Sequence, residues 1–178
     1  MAPTTTTKTV EEPVRVVSPE ANAKAEADLS KPKETKKIPS TLAEMSESID
    51  QTTFEQILEM DDEGDNEFSK GIVYGFFDQA ETTFEKMEKC LKEEDLSELS
   101  SLGHYLKGSS ATLGLTKVKD ACEKIQHFGA GKDETGSTDE PDKKTSLSRI
   151  EKTLKQVKED YKEVEAFLRK YYGETTSS

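Results

Sequence analysis

The chain has 178 residues, 31% hydrophobic and 35% charged, with 25 basic against 37 acidic side chains and a formal net charge of −12. A charge of that sign repels a phosphate backbone, because nucleic-acid affinity rests on Lys and Arg neutralising phosphates; nucleic acid and anionic membrane are therefore excluded as expected partners. The longest strongly apolar run, Ile72 to Phe77, falls far short of the roughly 20 residues a bilayer span requires. Met1 to Val10 has no apolar signal-peptide core, so an intracellular protein is expected. Cys90 and Cys122 are too few and too far apart for a disulfide framework or a CxxC site and read as small buried apolar residues.

Residues 1–40 hold five of the six prolines and none of the twelve aromatics, and their seven basic and six acidic groups nearly cancel. That leaves 18 basic against 31 acidic groups in the rest of the chain. A stretch with the Thr4 to Thr7 run, scattered Pro and no large side chains cannot bury enough surface to offset its chain entropy. Residues 1–44 are read as a disordered tail, in which the lone Ser18-Pro19 pair is a candidate kinase site, though such isolated pairs are common in tails and the reading without function is favoured. Beyond it the apolar spacing is helical wherever it is regular, and no alternating strand pattern of useful length appears.

A short helix is predicted over 49–60 with Phe54, Ile57 and Leu58, ending at the acidic turn Asp61-Asp62-Glu63-Gly64-Asp65. A long one follows over 66–92, where Val73, Phe76, Ala80, Phe84, Met87 and Leu91 recur at intervals of three and four and line one face. Asp95 caps the next, with Glu98 three residues on completing a capping-box-like start. Leu99, Leu102, Leu106 and Leu113 form its stripe as far as Gly114. Thr116 is expected to cap a fourth helix that buries Val118, Ala121, Cys122 and Ile125, and Gly129 to end it at positive φ. Residues 130–142, rich in Gly, Asp and Glu, read as an exposed loop. In the last helix Leu147, Ile150, Leu154, Val157, Tyr161, Val164, Leu168 and Tyr171 keep a three-four alternation that Gly173 stops, and residues 174–178 are read as a disordered end. The expected architecture is all-α: an antiparallel four-helix bundle over 45–173 with an additional short N-terminal helix packed across it. A coiled-coil dimer through the last helix is the alternative use of that seam; a monomer is expected because the other helices can cover it.

The two histidines occupy different settings on a helical wheel at 100° per residue. With Leu99 at 0°, Leu102, Leu106, Ser110 and Leu113 fall within about 60°, whereas His104 falls near 140° and faces water. Around it stand Ser97, Ser101, Gly108 and Ala111, all small, with Lys107 one turn along. A helix built for stability alone would not place Gly103 and Gly108 in its middle, since each costs about 0.5–1 kcal/mol relative to Ala, so close approach of another body is expected there. An exposed imidazole is a nucleophile near neutral pH. Once phosphorylated it carries about two negative charges, which Lys107 at i+3 can offset. His127, near a helix end with no such clearing, is expected to have a surface role, and Glu123 and His127 lack the Glu-x-x-His spacing of di-iron bundles.

The stretch His104-Tyr105-Leu106-Lys107-Gly108-Ser109-Ser110-Ala111-Thr112-Leu113-Gly114-Leu115 closely resembles the signature of histidine-containing phosphotransfer (HPt) proteins of the fungal phosphorelay-intermediate type. The resemblance extends back through Met60-Asp61-Asp62, Phe68-Ser69-Lys70-Gly71 and Phe77-Asp78-Gln79-Ala80, and forward to Cys122-Glu123-Lys124-Ile125-Gln126. It implies that His104 accepts a phosphoryl group, that Lys107 stabilises it, that Gly108 permits close docking and that Gln126 supports the histidine. Two departures stand out. Where fungal relatives place an arginine, this chain has Ala130, with Lys132 two residues on as a candidate substitute; Tyr105 stands where a phenylalanine is common.

The resemblance further implies a cytoplasmic and nuclear phosphocarrier in a two-component relay of the kind used in osmotic stress signalling. Its partners are response-regulator receiver domains, one upstream on a hybrid sensor kinase and others downstream. The sequence has no GxxxxGK[ST] loop, kinase-like Gly-rich loop or evident carboxylate cage for Mg²⁺, so it is not expected to be an enzyme with kinase or ATPase activity. No cofactor of its own is expected, and Mg²⁺ belongs to the receiver. A docking patch is expected from Ile57, Met60, Phe68, Ile72, Tyr105, Ser101, Gly108 and Ala111, with Asp65 at its rim, because Phe68 and Ile72 lie more than about 90° from the core stripe of their helix. Two alternatives remain open at this point: that the short helix covers Phe68 and Ile72 for packing alone, and that the protein is a non-catalytic helical adaptor.

Overall fold

The computed structural model describes residues 40–173. The tail reading for residues 1–39, including Ser18-Pro19, and that for residues 174–178 lie outside the described residues. Residues 40–44, expected to belong to the tail, instead begin the fold. Thr41 and Glu44 form a reciprocal capping box around the 3-10 turn Leu42–Met45, and Met45 at its end is buried. Five α-helices follow: α1 Gln51–Leu58, α2 Glu67–Glu93, α3 Leu96–Thr112, α4 Thr116–Gly129 and α5 Lys143–Tyr171. Among the described residues the only β-type pairing is an isolated bridge between Lys132 and Asp139.

Cross-helix contacts set the direction of the bundle. Lys158 on α5 pairs with Glu88 on α2, Tyr161 bonds Phe77 and Glu81, and Tyr172 just past α5 bonds Ser69, so α5 runs antiparallel to α2. In the same way Lys107 of α3 meets Glu123 of α4, while Gly129 meets Leu96 and Ser100. The core is drawn from the predicted stripes, with Val73, Ala80, Met87, Leu99, Leu106, Val118, Cys122, Ile125, Ile150, Val157 and Val164 all buried. Burial pushes the Cys122 thiol up to about 12. Large core side chains outside the spacing pattern include Phe77 and Phe167, each 1% exposed, and Phe128, because an apolar face in a bundle is wider than a single i, i+3, i+4 row. The α5 seam is covered within the chain, and it fades at its ends, where Leu147 is half-buried and Tyr171 exposed.

Two cap assignments are corrected by the contacts at the helix ends. Leu115, not Thr116, occupies the N-cap of α4. Thr116 ties the N-terminal segment to the bundle instead: its hydroxyl donates to the Glu47 carbonyl at 2.9 Å and its N–H to that of Ser48 at 3.0 Å. Beside it, the Asp50 N–H donates to Gly114 O at 2.7 Å, and Gly114 adopts φ +71° with no room for a side chain against Asp50. Gly129 is the last residue of α4 rather than a positive-φ stop; the left-handed conformation falls at Gly131, φ +72°. What requires glycine at 129 is packing: a Cβ there would lie 2.5 Å from the Ser100 nitrogen and 2.7 Å from the Leu96 carbonyl of α3. Together these contacts place α1 and its lead-in across the end of the bundle formed by the α3–α4 turn and the C-terminus of α5, where the Phe54 and Tyr171 rings meet edge to face at 6.1 Å.

Candidate phosphotransfer site on α3

Helix α3 begins where Asp95 accepts a hydrogen bond from the Glu98 N–H at 3.0 Å, satisfying one of the free donors of the first turn. Leu99, Leu102, Leu106 and Ser110 then turn inward, and the Ser110 hydroxyl donates to the Leu106 carbonyl at 2.6 Å rather than staying unpaired in the core. The opposite face exposes Ser101, His104, Tyr105, Gly108 and Ala111. Hydroxyls on this side bend back onto their own helix, Ser101 to Ser97 O, Ser109 to Tyr105 O and Thr112 to Gly108 O. The His104 ring thus stands in a surface with few competing polar groups, and it makes no hydrogen bond to a described residue.

The two mid-helix glycines have opposite surroundings. A Cβ at Gly108 would meet nothing within 4 Å, so its face is open to a visitor. A Cβ at Gly103 would meet the Cys122 carbonyl and the Gln126 nitrogen at 2.8 Å; the body that approaches Gly103 is α4 of the same chain. That close packing brings the Gln126 turn against the root of His104. Gln126 is half-buried, its backbone carbonyl accepts from the Ser100 hydroxyl at 2.9 Å, and its side-chain oxygen is buried with no hydrogen-bond partner. No hydrogen bond joins Gln126 to His104.

Lys107, the one basic residue of α3, is partly shielded and pairs with Glu123 of α4 at 3.4 Å. The sequence gives no sign of this partner, since nothing in it says which residues two helices bring together. Lys132, the candidate substitute for the arginine missing at Ala130, forms an ion pair with Asp139 across the bridge that closes the 130–142 loop. That loop is more ordered than its composition suggests. Asp133 accepts from the Ser137 and Thr138 N–H groups and from the Thr135 hydroxyl, and these bonds, the Thr135 one foremost, hold its carboxyl below the usual carboxylate range. His127 is half-buried beneath the loop, its Nδ1 at 2.8 Å from the Glu134 carbonyl and its ring against Gly136. It anchors the loop, whereas His104 is exposed and unpaired among the described residues.

Of the expected docking residues, Met60, Phe68 and Tyr105 are 63%, 45% and 51% exposed, an unusual solvent exposure for large apolar side chains. Ile72 is half-buried and lines an open groove of about 340 Å³ between α2 and α3, together with Gly71, Gly75, Gln79, Ser109 and Thr112. Ile57 does not belong to this surface. It is 7% exposed and packs in the core with Phe54, because residues three apart on a two-turn helix face the same way; Met60, past the helix end, turns outward. Asp65 is exposed and accepts from the Glu67 N–H at 3.0 Å, while Asp61 accepts from Ser69 N at 2.8 Å. Part of the acidic turn therefore caps α2, whose N-cap Asn66 makes no side-chain cap of its own.

This arrangement, an all-α bundle with a solvent-facing imidazole beside a lysine and an open glycine, belongs to a known class. The Hpt domain profile matches residues 72–166, and the chain belongs to the Hpt domain family. Among curated relatives, "Multistep phosphorelay regulator 1" of Schizosaccharomyces pombe is 46% identical over 130 residues, 73% of this chain and 44% of the relative. "Phosphorelay intermediate protein YPD1" of Saccharomyces cerevisiae is 51% identical over 85 residues, 47% of this chain and 50% of the relative. The chain thus spans about half the length of the curated relatives it matches. Among solved structures, S. cerevisiae Ypd1 in co-crystals with the receiver domain of its downstream response regulator Ssk1 superimposes with a TM-score of 0.63 at 36% identity, covering 78% of this chain and 99% of that one.

Proposed function

We propose that this protein is a phosphocarrier that takes a phosphoryl group from the phospho-aspartate of one response-regulator receiver domain and passes it to the aspartate of another. The observation that carries this reading is the exposed His104 imidazole in a cleared surface, with Lys107 one helical turn away and an open face at Gly108. The Ypd1 relative crystallised with a receiver domain supports the same class of partner. In the transfer, the unprotonated ring nitrogen of His104 attacks phosphorus in line, the N–P bond forms and the acyl P–O bond breaks. The electron pair leaves as the partner's carboxylate, and the ring keeps the proton on its other nitrogen. Passing the group on reverses these steps. Little covalent chemistry is asked of the protein, and positioning and charge neutralisation dominate. Lys107 neutralises charge on the equatorial oxygens, and Gly108 lets the partner's surface close over the ring. Gln126, which makes no hydrogen bond to the ring, supports the histidine only through the α4 backbone that packs against Gly103.

Met60, Phe68, Ile72 and Tyr105, with Ser101, Ala111 and Asp65 around them, form the docking face, a modest apolar patch suited to transient binding. The chain contributes neither nucleotide nor cofactor, has no kinase activity, and works as a monomer; the Mg²⁺ belongs to the receiver's acidic pocket. No described helix is long and apolar enough to cross a membrane, and the two buried free cysteines suit the reducing cytoplasm and nucleus, where we place it. Incubation with a phosphorylated receiver domain should give acid-labile, base-stable label on the wild-type chain and none on His104→Gln. Label that persists on His104→Gln would overturn the assignment of His104, whereas partner binding and signalling that the substitution leaves intact, with no label on the wild-type chain, would identify a helical adaptor.

A further inference from the structure

We infer that Glu123 is a positioning residue for Lys107: its carboxylate holds the lysine ammonium against α4 while His104 is bare, and competes with the phosphoryl group for that ammonium once His104 is loaded. The inference rests on the phosphocarrier reading and adds to it a residue that sets how firmly the group is held. Three observations bring Glu123 to the site. Lys107 Nζ lies 3.4 Å from Glu123 Oε1. Glu123 stands on the α4 turn whose backbone, at Cys122 O and Gln126 N, packs against Gly103, the residue before His104. Finally, Lys107 is the only basic side chain on α3, so the state of its ammonium decides the positive charge that helix offers.

The competition has a definite direction. A phosphoryl dianion on His104 attracts the ammonium more strongly than a carboxylate monoanion at a similar distance, and the four-carbon stem lets the ammonium swing between them. The lysine is therefore recruited on loading, but always against the pull of Glu123. A carrier that must give the group up gains from such opposition: it holds the phosphoryl group less tightly than a lysine with no other partner would. An ammonium on the equatorial oxygens stabilises the bound dianion more than the loosened, metaphosphate-like group of the transition state, so weakening that contact hastens loss of the group.

The test loads the full chain with phosphoramidate, which transfers its phosphoryl group to an imidazole nitrogen with release of ammonia, and follows decay of the acid-labile, base-stable label. Wild type, Glu123→Gln, Lys107→Ala and the double variant are compared, with helicity checked by circular dichroism. Glu123→Gln should lengthen the half-life about two- to fivefold, the span of a partly exposed ion pair. Lys107→Ala should shorten it, and Glu123→Gln should have no effect in the Lys107→Ala background. An unchanged half-life in Glu123→Gln overturns the inference, as does an equal lengthening when Lys107 is absent. If wild type takes no label at His104 from phosphoramidate or from a phosphorylated receiver, the phosphocarrier reading falls and the Glu123 role with it.

Discussion

Gly103 and Gly108 are five residues apart on one helix and look equivalent along the chain, yet they answer different demands. Gly103 is needed because a Cβ would lie 2.8 Å from two backbone atoms of α4, whereas Gly108 has nothing within 4 Å. A large side chain should therefore be harmless to the fold at 108 and harmful only to whatever docks there. Gly108→Gln should leave thermal stability unchanged or slightly raised, since glycine is a poor helix residue. Transfer from a phosphorylated receiver should slow about five- to a hundredfold, the range expected for forcing extra volume into a packed contact; normal transfer kinetics would show that no partner closes over this position. The exposure of His104 and the isolation of Lys107 on its face are legible from helical spacing alone, because both follow from 100° per residue. The Lys107–Glu123 pair and the burial of Ile57 are not, since each depends on how one helix is placed against the next.

At the level of elements, the tightest joint in the bundle is that between α3 and α4, where Gly103 and Gly129 remove the side chains that would hold the two backbones apart. The histidine is carried on one side of this joint and Gln126 and Glu123 on the other, so its closeness sets the geometry of the site. Gly129→Ala should lower the urea midpoint with an unchanged slope, by about 1–3 kcal/mol of stability; a stability equal to wild type would mean that α3 and α4 can separate freely. The number and order of the helices follow from apolar spacing, Asp95 capping and the glycine-rich breaks. The roles of Thr116 and Gly129 do not: a threonine or glycine at a helix end reads as a cap by local rules, and here tertiary partners claim both. Thr116 fastens the segment around Glu47 and Ser48 to the α3–α4 turn, which extends the fold back to Thr41, well before the first helix that spacing reveals.

For the molecule as a whole, a region holding 31 of the 37 acidic residues is an unpromising host for a dianion. The structure meets this locally: the acidic turn at Asp61 and Asp65 spends part of its charge capping α2, Lys132 is paired within the loop, and one lysine, shared with Glu123, serves the histidine's face. In the proposed phosphocarrier role, weak holding of the phosphoryl group is the expected consequence of that balance. In the proposed role, His104 is the residue that receives it. Incubating the full chain with a phosphorylated receiver domain and mapping the modified side chain by mass spectrometry under alkaline conditions tests this most directly. Modification is expected at His104 and none at His127, which lies under the Glu134–Gly136 loop; phosphate found at His127 or on a hydroxyl, with His104 bare, would contradict the assignment.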